Sequence, residues 1–180
     1  IRTHLSRSGK GLRPAPCIAT ARAFGGREAN ALPSAAALEM LHNAFLVHDD
    51  IEDGSKLRRN HPTMVADHGV PLAVNTGDAM NALSIRLLRR NLPLLGAPTA
   101  IRIYEEIDTL LVESLEGQAM ELGWICDNDT RVSASDYLHM SLKKTCLYSF
   151  IHPMRIGALV ADGERTDLDR FDKLGFFMGA

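Results

Sequence analysis

"LHNAFLVHDDIEDGSKLRRN" occupies residues 41–60, and its reading decides the fold. Leu41, Ala44 and Phe45 fall at the three- and four-residue spacing of a helix face. Asp49, Asp50, Glu52 and Asp53 then crowd the C-terminal end of that helix, which Gly54 closes. A helix C-terminus is partly negative and disfavours each carboxylate by about 0.3–1 kcal/mol. The carboxylates also repel one another. A bound cation accounts for a cluster that costs stability on both counts. Asp49 and Asp53 are four residues apart and share a face, offset by about 40°, with Asp50 about 100° round. Hard oxygen ligands of this kind suit Mg²⁺, which keeps waters and is commonly shared between carboxylates and substrate phosphates.

The same face extends down the helix. His42 precedes Asp49 by seven residues, about 700° and ~10 Å further along, with Phe45 between them. Taken alone His42 reads as a satisfied core histidine; its register with the aspartates makes a pocket wall an equal alternative. Basic groups surround the cluster in sequence. Arg58 and Arg59 follow in the loop, and Lys10 and Arg13 stand in the glycine-flanked "SGKGLRP" (8–14). Arginine grips phosphate oxygens bidentately and lysine acts as a point charge. Lys143, Lys144 and Gln118 sit in otherwise apolar helical surroundings, where a polar group needs a partner; a plain exposed helix face explains them equally well. Together these residues point to a metal–diphosphate pocket.

Outward from this stretch the rest of the chain also reads as helix. Long segments rich in Ala, Leu, Met, Glu and Arg lie near 11–24, 33–53, 72–91, 98–125, 134–161 and 167–180. The breaks fall at "GG" (25–26), "DGS" (53–55), "NHP" (60–62), "GVP" (69–71), "LGAP" (95–98), "DNDT" (127–130) and "DGERT" (162–166). No alternating β-branched run closed by a hairpin turn occurs. Long helices with short connections predict an all-α antiparallel bundle. The 180 residues suit one domain, 1–180, with a sizeable core. A net charge of −2 argues against a nucleic-acid partner held by bulk charge. Cys17, Cys126 and Cys146 are few and far apart, which predicts no disulfide framework and a reducing, cytoplasmic setting. No run of about 18 apolar residues predicts a transmembrane segment.

These motifs in this order resemble the trans-prenyltransferase family, the head-to-tail isoprenyl diphosphate synthases. "DDIED" (49–53) is similar to that family's first aspartate-rich motif, and "GSKLRRNHPT" (54–63) to the RR(G)xPT that follows it. "GKGLRP" (9–14) resembles the upstream GKxxRP, "EGQAMEL" (116–122) resembles GQxxDL with Glu121 in the acidic place, and "KKTC" (143–146) resembles KTG with Cys146 for glycine. "GVPLAVNTGDAM" (69–80) resembles the start of the next helix. The resemblance implies the isoprenoid-synthase type of bundle. It makes Asp49, Asp50, Asp53 and Lys144 the catalytic set, with the three aspartates holding Mg²⁺. Arg58, Lys144 and Gln118 would meet an allylic diphosphate, and Lys10, Arg13, His42 and Arg59 would hold isopentenyl diphosphate. Ala44 and Phe45, in the two positions that floor the tail channel, imply a C15 to C20 product, with C20 favoured. The expected reaction condenses isopentenyl diphosphate with dimethylallyl, geranyl or farnesyl diphosphate and releases pyrophosphate.

The family carries a second aspartate-rich motif on a later helix, and the sequence stops at "LGFFMGA" (174–180), where that helix would be entered. The domain is therefore expected to be incomplete at its C-terminus and also at its N-terminus. A diphosphate-binding, non-catalytic subunit of a heteromeric synthase is the alternative. A class I terpene cyclase is a further one, but it would leave Lys10, Arg13, His42 and Arg59 idle. A homodimer through helices near "GDAMNALSIRLL" (77–88) is the expected assembly.

Overall fold

The computed structural model describes residue 5, residues 9–163 and residues 166–180; residues 164–165 of the expected "DGERT" break lie outside the described residues. The chain folds as the expected all-α antiparallel bundle. In chain order it runs α1 (Pro14–Ala23), α2 (Glu28–Glu52), α3 (Met64–His68), α4 (Val70–Leu88), α5 (Asn91–Leu95), α6 (Ala97–Cys126) and α7 (Ala134–Ser141). A π-helix (Leu142–Ile151), α8 (His152–Asp162), a 3₁₀ turn (Asp169–Phe171) and α9 (Asp172–Gly179) follow. Prolines start several of these helices at positions whose N–H would be unpaired anyway, as at α1, α4 and α6.

The core follows from the periodicity of α2. Leu38 and Leu41 face Ile103, Ile107 and Leu110 of α6 together with Ile156 and Leu159 of α8, all at most 2 % exposed. The opposite flank of α2, through Ala44 and Val47, packs on Ala73 and Met80 of α4. A buried ionic chain closes the far end. His152, 1 % exposed, pairs through Nδ1 with Glu106 at 2.6 Å, and Arg155 reaches Asp172 at 2.8 Å. It links α6, α8 and α9 by charge beside the apolar packing of α6 on α8. The three cysteines are free, and burial pushes the Cys17 thiol up to about 12. Among the described residues no helix is long and apolar enough to cross a membrane.

Three local features depart from the expected elements. α2 begins at Glu28 rather than at Pro33, so Pro33 sits inside the helix and forgoes one backbone hydrogen bond to Ala29. A minimal hairpin, β1 (Leu57–Arg58) and β2 (His61–Pro62), stands where no strand was expected. Arg59 (φ 51°) and Asn60 (φ 62°) both adopt the left-handed conformation that a two-residue turn of this hand requires. The segment expected as one helix over 134–161 changes bore, passing from α-helix through the ten-residue π-helix and back. Ten residues give barely two turns, too few for a change of period to appear in the apolar pattern.

The π-helix lies unusually close to α6 at Gly117. A Cβ added there would fall 2.6 Å from the Lys144 backbone nitrogen and 3.0 Å from the Lys144 Cα. Backbone atoms cannot rotate away, so G117A is expected to destabilise the fold by about 1–3 kcal/mol. A urea midpoint that falls at unchanged slope supports this; an unaltered midpoint would show that the π segment yields freely.

Candidate active site

The end of α2 is held by one guanidinium. The β1–β2 hairpin folds Arg58 back so that its Nε donates to Asp50 Oδ1 at 2.6 Å and its Nη2 to Asp49 Oδ2 at 2.8 Å. Thr63 fastens the return of this loop. Its hydroxyl donates to the Ser55 carbonyl at 2.7 Å and caps α3 by accepting from the Ala66 N–H at 3.2 Å. Asp50 is 0 % exposed, and its Oδ2 is buried without a hydrogen-bond partner. Burial raises the Asp50 pKa, against the lowering pull of Arg58. Asp50 therefore turns inward, Asp49 faces a cavity, and Asp53 is an exposed cap at the helix end.

That cavity, ≈ 320 Å³, lies between α2, α6 and the π-helix. Asp49, Glu52, Gln118 and Lys144 line it together with His42, Phe45 and Tyr148. Lys144 is paired with Glu121, and the Gln118 amide Nε2 donates to Glu52 Oε2 at 2.7 Å. Lys143 faces away from this group, held by Glu113 and, at 2.6 Å, by Glu116. Its pKa is raised by the hydrogen bonds from those two carboxylates.

At the apolar end, Phe45 and Tyr148 approach with ring centroids 5.3 Å apart. Arg13 stacks over the Tyr148 ring at 4.7 Å and donates to His42 Nε2 at 3.1 Å. Arginine has no acceptor, so His42 Nε2 is unprotonated and the proton resides on Nδ1, which donates to the Tyr148 hydroxyl at 3.1 Å. Burial pushes the Tyr148 phenol upward, so it stays neutral.

A second cavity of ≈ 700 Å³ adjoins the first and shares Arg13 and His42 with it. Lys10, Arg58 and Arg59 also line it. The glycine-flanked stretch does bring backbone close to a cation: a Cβ on Gly9 would lie 3.0 Å from Arg59 Nη1.

The structure thus brings Asp49, His42, Phe45, Gln118 and Lys144 to one cavity and Lys10, Arg13, Arg58 and Arg59 to its neighbour. Ala44, expected beside Phe45 at the channel floor, is instead 0 % exposed in the cluster with Val47, Ala73 and Met80. One residue along a helix is about 100° of rotation, which turns it to α4. Among the lining residues that the sequence reading did not assign to the site are Glu52 and Tyr148. Glu52 carried a signal, since it follows Asp49 by three residues and so shares its side of the helix. Tyr148 carried none, because the π-helix sets its direction. Cys146, in the place of a glycine, is accommodated by Gly179, where an added Cβ would lie 2.9 Å from its Sγ.

The donor set fits a metal that borrows ligands from its substrate. Among the described residues no three His, Cys, Asp or Glu side chains form a ready-made metal centre. Asp49 at the mouth, Asp53 beyond it and the cations around them match a magnesium ion bound by one or two carboxylates plus phosphate oxygens.

Known proteins agree with this geometry. Residues 1–180 match the polyprenyl synthetase family. The chain is 33% identical over 177 residues to a geranylgeranyl diphosphate synthase of Sulfolobus acidocaldarius, covering 98% of this chain and 53% of that one. It is 32% identical over 172 residues to one of Mycobacterium tuberculosis, covering 96% and 47%. A crystal structure of a geranylgeranyl pyrophosphate synthase superposes with a TM-score of 0.91 at 27% identity, covering 99% of this chain and 52% of the other. A polyprenyl synthase from Caulobacter crescentus, complexed with calcium and isoprenyl diphosphate, superposes with a TM-score of 0.83 at 27% identity, covering 97% and 50%. The chain spans about half the length of the curated relatives it matches. With its all-α bundle and two adjoining charged cavities, the chain belongs to the polyprenyl synthetase family.

Proposed function

We propose that this chain serves the magnesium-dependent condensation of isopentenyl diphosphate with an allylic diphosphate, giving a longer trans-prenyl diphosphate, C20, and pyrophosphate. The observation that carries the reading is the pair of adjoining cavities. One has carboxylate, amide and ammonium at its mouth and aromatic rings at its floor; the other is lined with Lys10, Arg13, Arg58 and Arg59.

The allylic diphosphate takes the first cavity, with Lys144 neutralising its charge, Gln118 beside it, and Arg58 reaching it from the wall of the second cavity. Mg²⁺, when bound, supplies the Lewis acidity that stabilises departing pyrophosphate. Asp49 and Asp53 are the residues that would hold it, while buried Asp50 anchors Arg58 instead of reaching the ion. Isopentenyl diphosphate takes the second cavity through Lys10, Arg13, His42 and Arg59. The C–O bond of the allylic diphosphate breaks, the double bond of isopentenyl diphosphate attacks the allylic cation, and a proton is lost from the new bond's neighbour. The protein contributes position and charge rather than a nucleophile. Leu115, Phe45 and Tyr148 give the first cavity an apolar lining, which keeps water from quenching the cation. Phe45 sets product length, with Tyr148 opposite it. A homodimer through α4, where Val74 and Ile85 are exposed, completes the proposed assembly.

The reading is tested by incubating the protein with Mg²⁺, isopentenyl diphosphate and dimethylallyl, geranyl or farnesyl diphosphate in turn, with product lengths read by mass spectrometry. A C20 product supports it. Failure to incorporate isopentenyl diphosphate overturns it, and consumption of the allylic substrate alone would favour a cyclase. D49A and D53A are each expected to lower Mg²⁺-supported turnover by about a hundredfold or more, with unfolding midpoints near wild type; near-normal rates would remove the metal role. F45A is expected to lengthen the product, and an unchanged distribution would exclude Phe45 as the floor. R58A strands the buried Asp50 carboxylate, so a loss of about 1–3 kcal/mol is expected in urea titration.

A further inference from the structure

Gln118 and Glu52 meet across the mouth of the first cavity, from α6 and from the last residue of α2. Asp49 lies one turn earlier on α2 and lines the same cavity as both. An amide can be built in either of two orientations, but chemistry fixes this one. An ionised carboxylate only accepts, so the Gln118 group 2.7 Å from Glu52 Oε2 must be the NH₂. The other polar end of the amide, the Oε1 carbonyl, also only accepts. An acceptor in the cavity that Asp49 also lines repels phosphate oxygens and attracts either a cation or the water protons of a hydrated one.

We infer that Glu52 is a positioning residue that fixes the polarity of the Gln118 amide, so that its carbonyl is offered to hydrated Mg²⁺ beside Asp49. Without Glu52 the amide turns over and offers NH₂ to a phosphate oxygen instead. The second carboxylate on this face of α2 thereby acts on the cation through Gln118. This rests on the reading that the cavity binds a metal diphosphate, and it refines the part that Gln118 plays there.

Calorimetric titration of the purified protein with inorganic pyrophosphate, with and without MgCl₂, tests it. E52A is expected to weaken the Mg²⁺-dependent binding by about tenfold, the usual scale for removing a group that orients a metal's partner. Binding without Mg²⁺ should be unchanged. E52Q should weaken the Mg²⁺-dependent binding too, because an amide at 52 can donate as well as accept and leaves the Gln118 amide free to present either end. The exchanged pair E52Q/Q118E should restore Mg²⁺-dependent binding, since the new NH₂ at 52 donates to the carboxylate at 118.

Wild-type behaviour of E52A would overturn the inference. So would wild-type binding by E52Q, because the polarity of Gln118 would then not depend on an acceptor-only partner. An equal loss with and without Mg²⁺ would make the contact merely structural and would also overturn it. Absence of Mg²⁺-dependent binding in the wild type would overturn the metal-diphosphate reading itself, and the inference with it.

Discussion

A helix C-terminus is the wrong end for carboxylates, and α2 carries Asp49, Asp50, Glu52 and Asp53 there. The compensation is covalently close: Arg58, brought round by a two-residue hairpin, spans Asp49 and Asp50. Much of the local architecture follows from that need. The hairpin must be tight for Arg58 to return, which forces Arg59 and Asn60 into left-handed backbone. Asparagine tolerates this conformation, whereas arginine is uncommon in it and stays only where the surroundings over-determine it. The same turn that aims Arg58 at the carboxylates also brings Arg59 round, and both arginines line the second cavity.

The pairing has a second effect. Lys144 of the first cavity is paired with Glu121 and Arg58 of the second with the aspartates, while the neutral Gln118 amide donates to Glu52. The positive groups are thus held in place by carboxylates before any anion arrives. On the proposed reading an incoming diphosphate would exchange partners with pre-placed cations and would not have to gather mobile ones, which limits the ordering cost of binding.

The helices, their breaks and the inward face of α2 were legible because period and glycine punctuation act locally. Gly54, Gly69 and Gly96 stand at breaks with the positive φ that ends a helix. The site was legible where it depended on α2 alone: Asp49, His42 and Phe45 share the cavity their spacing predicted. It was not legible where two elements meet. Ala44 turned to α4 because a helix face is narrower than a two-residue motif. The direction of Tyr148 depends on a change of helical bore, and the inward turn of Asp50 depends on where a hairpin places the guanidinium of Arg58, eight residues on. His152, Glu106 and Arg155 read as ordinary helix residues, and only the packing of α6 on α8 makes them a buried ionic chain.

The floor beneath the first cavity is made of two rings from different helices, and they are not equally replaceable. Phe45 contributes bulk and nothing polar. Tyr148 contributes bulk, a hydroxyl that accepts a hydrogen bond from His42, and a face for Arg13. On the proposed reading, deepening the channel by shrinking Tyr148 would loosen the histidine and the arginine that serve the other substrate, whereas shrinking Phe45 would not. Drift in product length over evolutionary time therefore has an inexpensive route through α2 and a costly one through the π-helix. Descendants that change what they make while keeping how they bind isopentenyl diphosphate should carry their variation at position 45 and retain tyrosine at 148.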